Sequence, residues 1–419
     1  MRVLFVQNTR FLNGQGGTEK ICTFLANGFF DAGHQVEIAT NENVLGKSVF
    51  FLNSKIPINN VYDSKNNIKV LYKINSYRGY NPLYWMIEKF KKKYRKHCNR
   101  KITKKCSASG GVYLHNLAER SRMWSSFFAE NSFDLIITMS ITSLLEISYL
   151  NHLTAPIINS TNGRPDYDYS ELLWFREEAE KNALKAAYRN LKGIQVLFES
   201  YTDYLPNTFS GTTKVIPNPV AKIPEEEAVD HYQLKKRYTI VHVGSLVTSC
   251  KQQDVAIEIF SEIAHIYPNW DLHFWGTGDD YNQLSSLIAI HNLNNRVFLN
   301  GYTSSPLEKM KESDVFLFPS KYEGFPLSLM EAMSVGLPVL GFSYCSGVNE
   351  LITDGENGFL CKDRKEMTNR LQMLLSDSTL RAEMGRKAYL FSKIFKPQEV
   401  LDKWLTFAEN IVREKANQP

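Results

Sequence analysis

The run Asp314-Val315-Phe316-Leu317-Phe318, closed by Pro319-Ser320 and followed by Glu323-Gly324-Phe325-Pro326-Leu327-Ser328-Leu329-Met330-Glu331, reads as a strand, a loop and the first turns of a helix. Pro326 stands where proline is tolerated, at a helix start. Glu323 falls in the loop and Glu331 on the helix, with the unpaired backbone N–H groups of Leu327 and Ser328 between them. Free amides and the helix dipole both favour negative charge at such a start. The stretch therefore predicts a site for an anion that also carries hydroxyl groups.

The same alternation of strand and helix extends on both sides. Val3 to Gln7, a glycine-bearing loop over Asn8 to Gly17, and a helix with Ile21, Phe24, Leu25 and Phe29 on one face lead to the strand Val36 to Thr40. Strands follow at Asp134–Thr138, Pro156–Asn159 and Gly193–Leu197, with helices expected over His115–Phe128 and Tyr169–Asn190 and a strand-like piece at Lys69–Tyr72. A second series runs through Thr239–Val243, Asp271–Trp275, Val297–Asn300, Val315–Phe318 and Pro338–Leu340. Between the two series lies Ile216-Pro217-Asn218-Pro219, whose two prolines bar a regular helix. The reading is α/β: two doubly wound Rossmann-like domains facing across a cleft. The boundaries are 1–214 for a first domain and 215–395 for a second, and an amphipathic terminal helix over 396–415 is expected to pack back on the first.

Length and composition agree with this plan. A chain of 419 residues is long for one core. The six cysteines are scattered with no C-x-x-C pair, which speaks against a zinc site or a disulfide framework and for a reducing cytoplasm. The opening apolar run turns polar at Gln7 and is too short for a secretory core, and Phe133–Leu150 is too polar to span a bilayer. Disorder is expected only at the C-terminal tip. Net charge is +5, yet residues 88–105 hold ten Lys or Arg against one acid, so the remainder is acidic.

In doubly wound sheets ligands bind beyond the strand C-termini, so four loops become candidates: Gly14 to Gly17, Gly244 to Lys251, Gly276 to Gly278, and Glu323 to Glu331. Gly16-Gly17 before a helix lets backbone approach an anion, and is equally an ordinary tight turn. Lys251, read as opening a helix, suits a diphosphate, although a lone lysine is more often solvated. Gly276-x-Gly278 lacks the third glycine of a dinucleotide fingerprint, and fits a loop against a base or ribose better.

Taken together the motifs resemble the retaining nucleotide-sugar glycosyltransferases of family four. They are Gly-Gly-Thr-Glu before the first helix, Val-Gly-Ser-Leu leading to Lys251, Trp-Gly-Thr-Gly, Phe-Leu-Asn-Gly-Tyr, and Pro-Ser-x-x-Glu-Gly-Phe-Pro-x-Ser-x-x-Glu-Ala. The likeness is strong over 215–395, moderate over 1–40 and weak over 41–190. It implies the GT-B architecture and, by likeness, the following roles. Glu323 and Lys251 are the catalytic pair, Glu323 binding donor-sugar hydroxyls and Lys251 the leaving phosphate. Gly324, Phe325, Pro326 and the amides of Leu327 and Ser328 surround the diphosphate, with Gly244, Ser245 and Gly276 in neighbouring loops. Glu331 binds ribose, Gly301-Tyr302 offers backbone to the base, and Gly16-Gly17 approaches the diphosphate from the other domain. No metal and no cofactor is expected, and a UDP-sugar is favoured over a GDP-sugar as donor. The chain departs from the family's pattern at Ser245, where relatives usually carry Arg, and at Asn162, where they often carry His. Asn162 and Arg164 are the acceptor-side candidates.

The expected activity is transfer of a sugar to a glycan or lipid-linked acceptor in bacterial-type surface polysaccharide assembly. Its alternatives are an epimerase or phosphorylase on the same fold, or a nucleotide-sugar-binding partner without catalysis. The basic segment Lys89–Lys105, interleaved with Trp85, Phe90 and Tyr94, has three readings: an anionic membrane, nucleic acid, or a solvated helix. No nucleic-acid fold motif accompanies it. The resemblance turns the expectation to the membrane, with the protein cytoplasmic and peripheral at the inner face.

Overall fold

The computed structural model describes residues 1–74, 77 and 79–416. The expected disorder of the C-terminal tip lies outside these residues. The chain forms two compact units, one of Met1–Val196, Ser200–Lys214 and the chain from Leu405 onward, the other of Leu197–Glu199 and Val215–Trp404.

In the first unit the strands are β1 (Arg2–Val6), β2 (Gln35–Thr40), β3 (Ile58–Asn60), β4 (Leu135–Thr138), β5 (Ile157–Ser160), β6 (Gly193–Val196) and β7 (Thr212–Val215). They lie in the order β3-β2-β1-β4-β5-β6-β7. Pairing is parallel from β3 through β6. Val3 to Val6 are fully buried, as a strand covered on both faces must be, which is why the run shows no polar alternation. The helices are α1 (Gly17–Asp31), α2 (Pro82–Cys106), α3 (Val112–Glu130), α4 (Ile141–Ser148), α5 (Asp166–Tyr169) and α6 (Glu178–Ala187).

Beyond the ends of β1, β2 and β4 sits a buried polar knot. The Glu146 carboxylate, on α4, accepts from Asn8 Nδ2 (2.7 Å), Asn41 Nδ2 (2.8 Å), Trp124 Nε1 (2.8 Å) and the Arg120 guanidinium (2.5 Å). Nearby, Glu42 accepts from the amides of Phe11 (2.9 Å) and Leu12 (3.0 Å) and from the Thr40 hydroxyl (2.6 Å). Two carboxylates thus tie the loop after β1 to the sheet.

Two local expectations fail in this unit. The single helix over Tyr169–Asn190 is broken into α5, an irregular stretch, α6 and a 3-10 turn at Tyr188–Asn190. Leu172, Leu173, Trp174 and Phe175 are consecutive and cannot share one helix face, and Leu172, Trp174 and Phe175 are exposed. Lys69–Tyr72 forms no strand either. Side-chain amides take the place of a ladder there. Asn116 bonds both backbone groups of Lys69 (2.7 and 2.8 Å), and Asn99 bonds both of Tyr72 (2.8 and 3.0 Å).

The second unit holds β8 (Tyr238–Val243), β9 (Trp270–Trp275), β10 (Val297–Leu299), β11 (Val315–Phe318), β12 (Val339–Phe342) and β13 (Gly358–Cys361), in the order β10-β9-β8-β11-β12-β13 and all parallel. Its helices are α7 (Thr248–Lys251), α8 (Gln253–Ile263), α9 (Tyr281–Ile290), α10 (Pro306–Lys311), α11 (Leu327–Ser334), α12 (Arg364–Ser376) and α13 (Ser378–Ser392). The last helix, α14 (Pro397–Ala416), passes from the second unit to the first at Leu405. In the first unit it packs on β6, where a Cβ added at Gly193 would meet Phe407 at 2.7 Å and Ile411 at 3.2 Å.

His242 lies in β8, fully buried, with Nδ1 donating to the Leu317 carbonyl (3.0 Å) and its ring stacked 5.6 Å from Phe318. Burial pushes its pKa down to about 4, against the pull of the Leu317 carbonyl and with the push of Lys251. The unfolded chain therefore binds a proton that the folded chain refuses between pH 4 and the ordinary value of 6.5. Stability should rise with pH across that window and be lost on acidification, by roughly 3 kcal/mol from this one residue. Denaturant titrations of the native chain and of His242→Gln from pH 7 to 4 check this; parallel pH profiles in the two would refute it.

Candidate active site

Both sheets place a reversal of strand order at their centre, between β1 and β4 and between β8 and β11, the position where doubly wound sheets take ligands beyond the strand C-termini. In the second unit the loops leaving β8 and β11 carry the residues that meet there. Lys251 Nζ lies 2.6 Å from Glu323 Oε1, across 72 residues of sequence. Both side chains are largely buried. Burial, the largest single influence, presses the lysine pKa downward, but the charge and hydrogen bond of Glu323 together with the neighbouring Cys250 and Cys345 outweigh it and hold the ammonium above the usual lysine value. Lys251 ends helix α7 and does not open a helix as the sequence implied, because Gln252 adopts left-handed backbone (φ 51°) and separates α7 from α8.

The Glu323 loop is clamped by the segment after β12. The Glu323 amide donates to the Ser346 carbonyl (3.2 Å), and the Ser346 hydroxyl donates back to the Glu323 carbonyl (3.0 Å). Gly347, at φ 78°, has room for no Cβ, since one would sit 2.3 Å from the Gly324 carbonyl oxygen. Ser346 and Gly347 were not singled out in the sequence; the Gly after a strand end was the only signal they gave. Phe325 is buried, stacked on Phe198 (5.6 Å) and edge-on to Phe395 (5.5 Å), so it anchors the loop from below. Pro326 is the N-cap of α11 and Leu327 its first residue, and no side chain bonds the cap. The amides of Leu327 and Ser328 thus open the helix without a capping group, while Glu331 is buried one turn further on.

The remaining donor-side candidates form a shelf beside this pair. The Gly244 amide donates to the Trp275 carbonyl (3.0 Å), Leu246 to Thr277 (2.9 Å), and Gly276 to the Gly301 carbonyl (2.7 Å). Gly276 and Gly278 are required by contact: a Cβ at either would fall 1.9 Å from the Gly244 oxygen or 2.2 Å from the Leu246 oxygen. Gly276 and the Gly301 carbonyl therefore hold loops together. Ser245 is exposed, with its carbonyl accepting from Gln253 Nε2 (2.8 Å), and Tyr302 is half-exposed.

Four candidates belong to the first unit. Gly16 is the N-cap of α1, and the chain's own Glu19 carboxylate lies against it, accepting from Gln7 Nε2 (2.6 Å) and from the backbone of Gly16. Burial raises the Glu19 pKa despite these bonds. Glu19 was visible only as part of Gly-Gly-Thr-Glu. Asn162 donates its amide to the Met139 carbonyl (2.5 Å). Arg164 makes a bidentate pair with Asp166 (2.7 and 2.9 Å) and stacks over Tyr167 and Tyr204, so its charge is met locally. Among the described residues no group of three or more His, Cys, Asp or Glu is disposed to hold a metal ion.

Two parallel-sheet units built this way define the GT-B fold of glycosyltransferases. Residues 225–391, which include Lys251, Glu323 and Glu331, match the family described as glycosyl transferases group 1. Among curated relatives, an uncharacterized glycosyltransferase of Haemophilus influenzae is 30% identical over 191 residues, 45% of this chain and 53% of that protein. The poly(ribitol-phosphate) alpha-N-acetylglucosaminyltransferase of Staphylococcus aureus is 28% identical over 233 residues, 55% of this chain and 46% of that one. The chain thus spans about half the length of these relatives. Among solved structures, sucrose-phosphate synthase of Thermosynechococcus elongatus superposes with a TM-score of 0.74 at 17% identity, covering 99% of both chains. Staphylococcus aureus TarM, solved with UDP, gives 0.69 at 17% identity over 98% of this chain and 99% of that one. At such identities the likeness is one of fold.

Proposed function

We propose that the protein is a retaining, metal-independent glycosyltransferase that moves a sugar from a nucleotide donor, UDP-sugar in preference to GDP-sugar, to a glycan or lipid-linked saccharide. Its setting is surface polysaccharide assembly at the cytoplasmic face of a membrane, and an anionic membrane surface is the partner of Lys89–Lys105. The observation that carries the reading is the Lys251–Glu323 pair, 2.6 Å apart at the sheet's reversal point beside the uncapped start of α11.

In this reading the Leu327 and Ser328 amides and Lys251 hold the diphosphate, Glu323 orients the sugar hydroxyls and Glu331 the ribose. Gly301-Tyr302 borders the base. As the bond from the anomeric carbon to the phosphate oxygen breaks, negative charge grows on that oxygen, where an ammonium and a helix start stabilise it. The acceptor hydroxyl attacks from the departing side, its oxygen forms the new bond to the anomeric carbon, and its proton passes to the leaving phosphate. Configuration is thereby retained. UDP relatives in solved form support the donor class: an Anabaena structure of the same fold (TM-score 0.67) was solved with UDP-glucose.

The test pairs binding with chemistry. UDP-sugars should raise the thermal midpoint and GDP-sugars should not, because a ligand bound only to the folded state stabilises by mass action. Transfer should fall in Glu323→Ala, and the product's anomeric proton should show the donor's configuration. Undiminished transfer in that variant would overturn the site, and an inverted product would overturn the mechanism.

A further inference from the structure

Helix α2 is an amphipathic element whose apolar side faces water. Leu83, Met86, Ile87, Phe90 and Tyr94 recur at helical spacing and make one stripe. They are 74, 52, 47, 69 and 65% exposed. The opposite side of the helix is the one that packs. Asn99, half a turn round from Phe90, bonds the Tyr72 backbone (2.8 and 3.0 Å), Arg95 donates to the Lys73 carbonyl (3.3 Å), and Cys106 is buried. Those same bonds lay the segment Val70–Ile74 along the helix, and Val70, Leu71, Tyr72 and Ile74 are themselves exposed. Basic residues border the stripe, with Lys89, Lys93 and Arg100 on one flank and Lys91 and Lys105 on the other. Lys89 also lies 4.6 Å above the half-exposed Trp85 ring.

A large apolar stripe bordered by cations needs a partner that offers hydrocarbon and negative charge together. Nucleic acid and phosphate-bearing glycans supply the charge but leave Leu83, Phe90 and Met86 in water. No described helix is long and apolar enough to cross a membrane, so the stripe is not part of a span. We propose that α2 lies in the plane of an anionic lipid surface, with Leu83, Met86, Ile87, Phe90 and Tyr94 at the boundary of headgroup and acyl chain. The flanking Lys and Arg side chains reach lipid phosphates, their aliphatic stems running along the apolar stripe. The docking deepens the transferase reading by naming the surface from which a lipid-linked acceptor is met; it does not depend on any donor-site residue.

Flotation of the full chain with vesicles tests it. Phosphatidylcholine vesicles containing phosphatidylglycerol should carry the protein up, phosphatidylcholine alone should not, and added salt should weaken the binding. Leu83→Ser with Phe90→Ser should lower the partition about tenfold or more. Gln at Lys89, Lys93 and Arg100 should lower it about fivefold per charge removed. All five side chains are exposed, and the UDP-induced thermal shift should persist in both variants, which separates a failure of docking from a failure of the donor site. The proposal is overturned if the native chain does not float, if neutral vesicles serve as well, or if the Ser variant binds undiminished. Equal capture of native and Ser-variant protein by soluble polyphosphate, without flotation, would assign the helix to a polyanion instead.

Discussion

Replacing Lys251 with alanine is expected to lower the turnover of donor-dependent transfer by about a hundredfold to a thousandfold, the range for removing one preorganised group from developing negative charge. The geometry sets the size of the effect. Lys251 is largely buried at the end of α7, whose Thr248 is pinned by Asp280 Oδ2 at 2.7 and 2.8 Å, so little in this loop is free to move a substitute cation into place. The exposed Ser245 offers no second charge. The two members of the pair should also separate by ligand. UDP, which lacks the sugar, should lose its thermal shift in Lys251→Ala and keep most of it in Glu323→Gln, whereas transfer should fall in both. Equal UDP binding by native protein and Lys251→Ala would remove the lysine from the phosphate site.

Glu146→Ala should be among the most destabilising single changes in the first unit, at about 3–5 kcal/mol. One carboxylate, nearly inaccessible, is the acceptor for Asn8, Asn41, Trp124 and Arg120, so its loss leaves several donors and a guanidinium charge without their partner in a dry site. Against a total stability of about 5–15 kcal/mol the change is large. Glu146→Gln, which keeps one acceptor oxygen, should fall between. An unfolding free energy from denaturant titration within about 1 kcal/mol of native for the alanine variant would show that water replaces the lost acceptor.

The uneven legibility of the chain follows from what each element depends on. β1, β8 and β11 announce themselves because strands covered on both faces need apolar runs, and Val3–Val6 and Val315–Phe318 supply them. Glu323 and Lys251 were each visible as residues of strand-end loops, since parallel strands bring such loops to one edge. Their direct pairing was not visible, because it depends on left-handed Gln252 and on the clamp by Ser346 and Gly347. The Glu146 knot was invisible for a similar reason: its members come from four separated stretches, and none is unusual alone. Lys69–Tyr72 misled in the opposite sense. Its composition suits a strand, but two asparagine side chains, from α2 and α3, took the backbone groups a ladder would have used. The broken helix at 170–177 shows periodicity failing where four bulky residues follow one another.

The final helix sets a timetable for synthesis. Gly193 on β6 is closed over by Phe407 and Ile411, more than two hundred positions later in the chain. While the ribosome is still making the second unit, β6 therefore stands with that face uncovered, and the first unit's core stays unfinished until the last helix has emerged. The second unit, apart from Leu197–Glu199, is continuous and has every strand of its sheet by Cys361. The half made first is thus the half finished last.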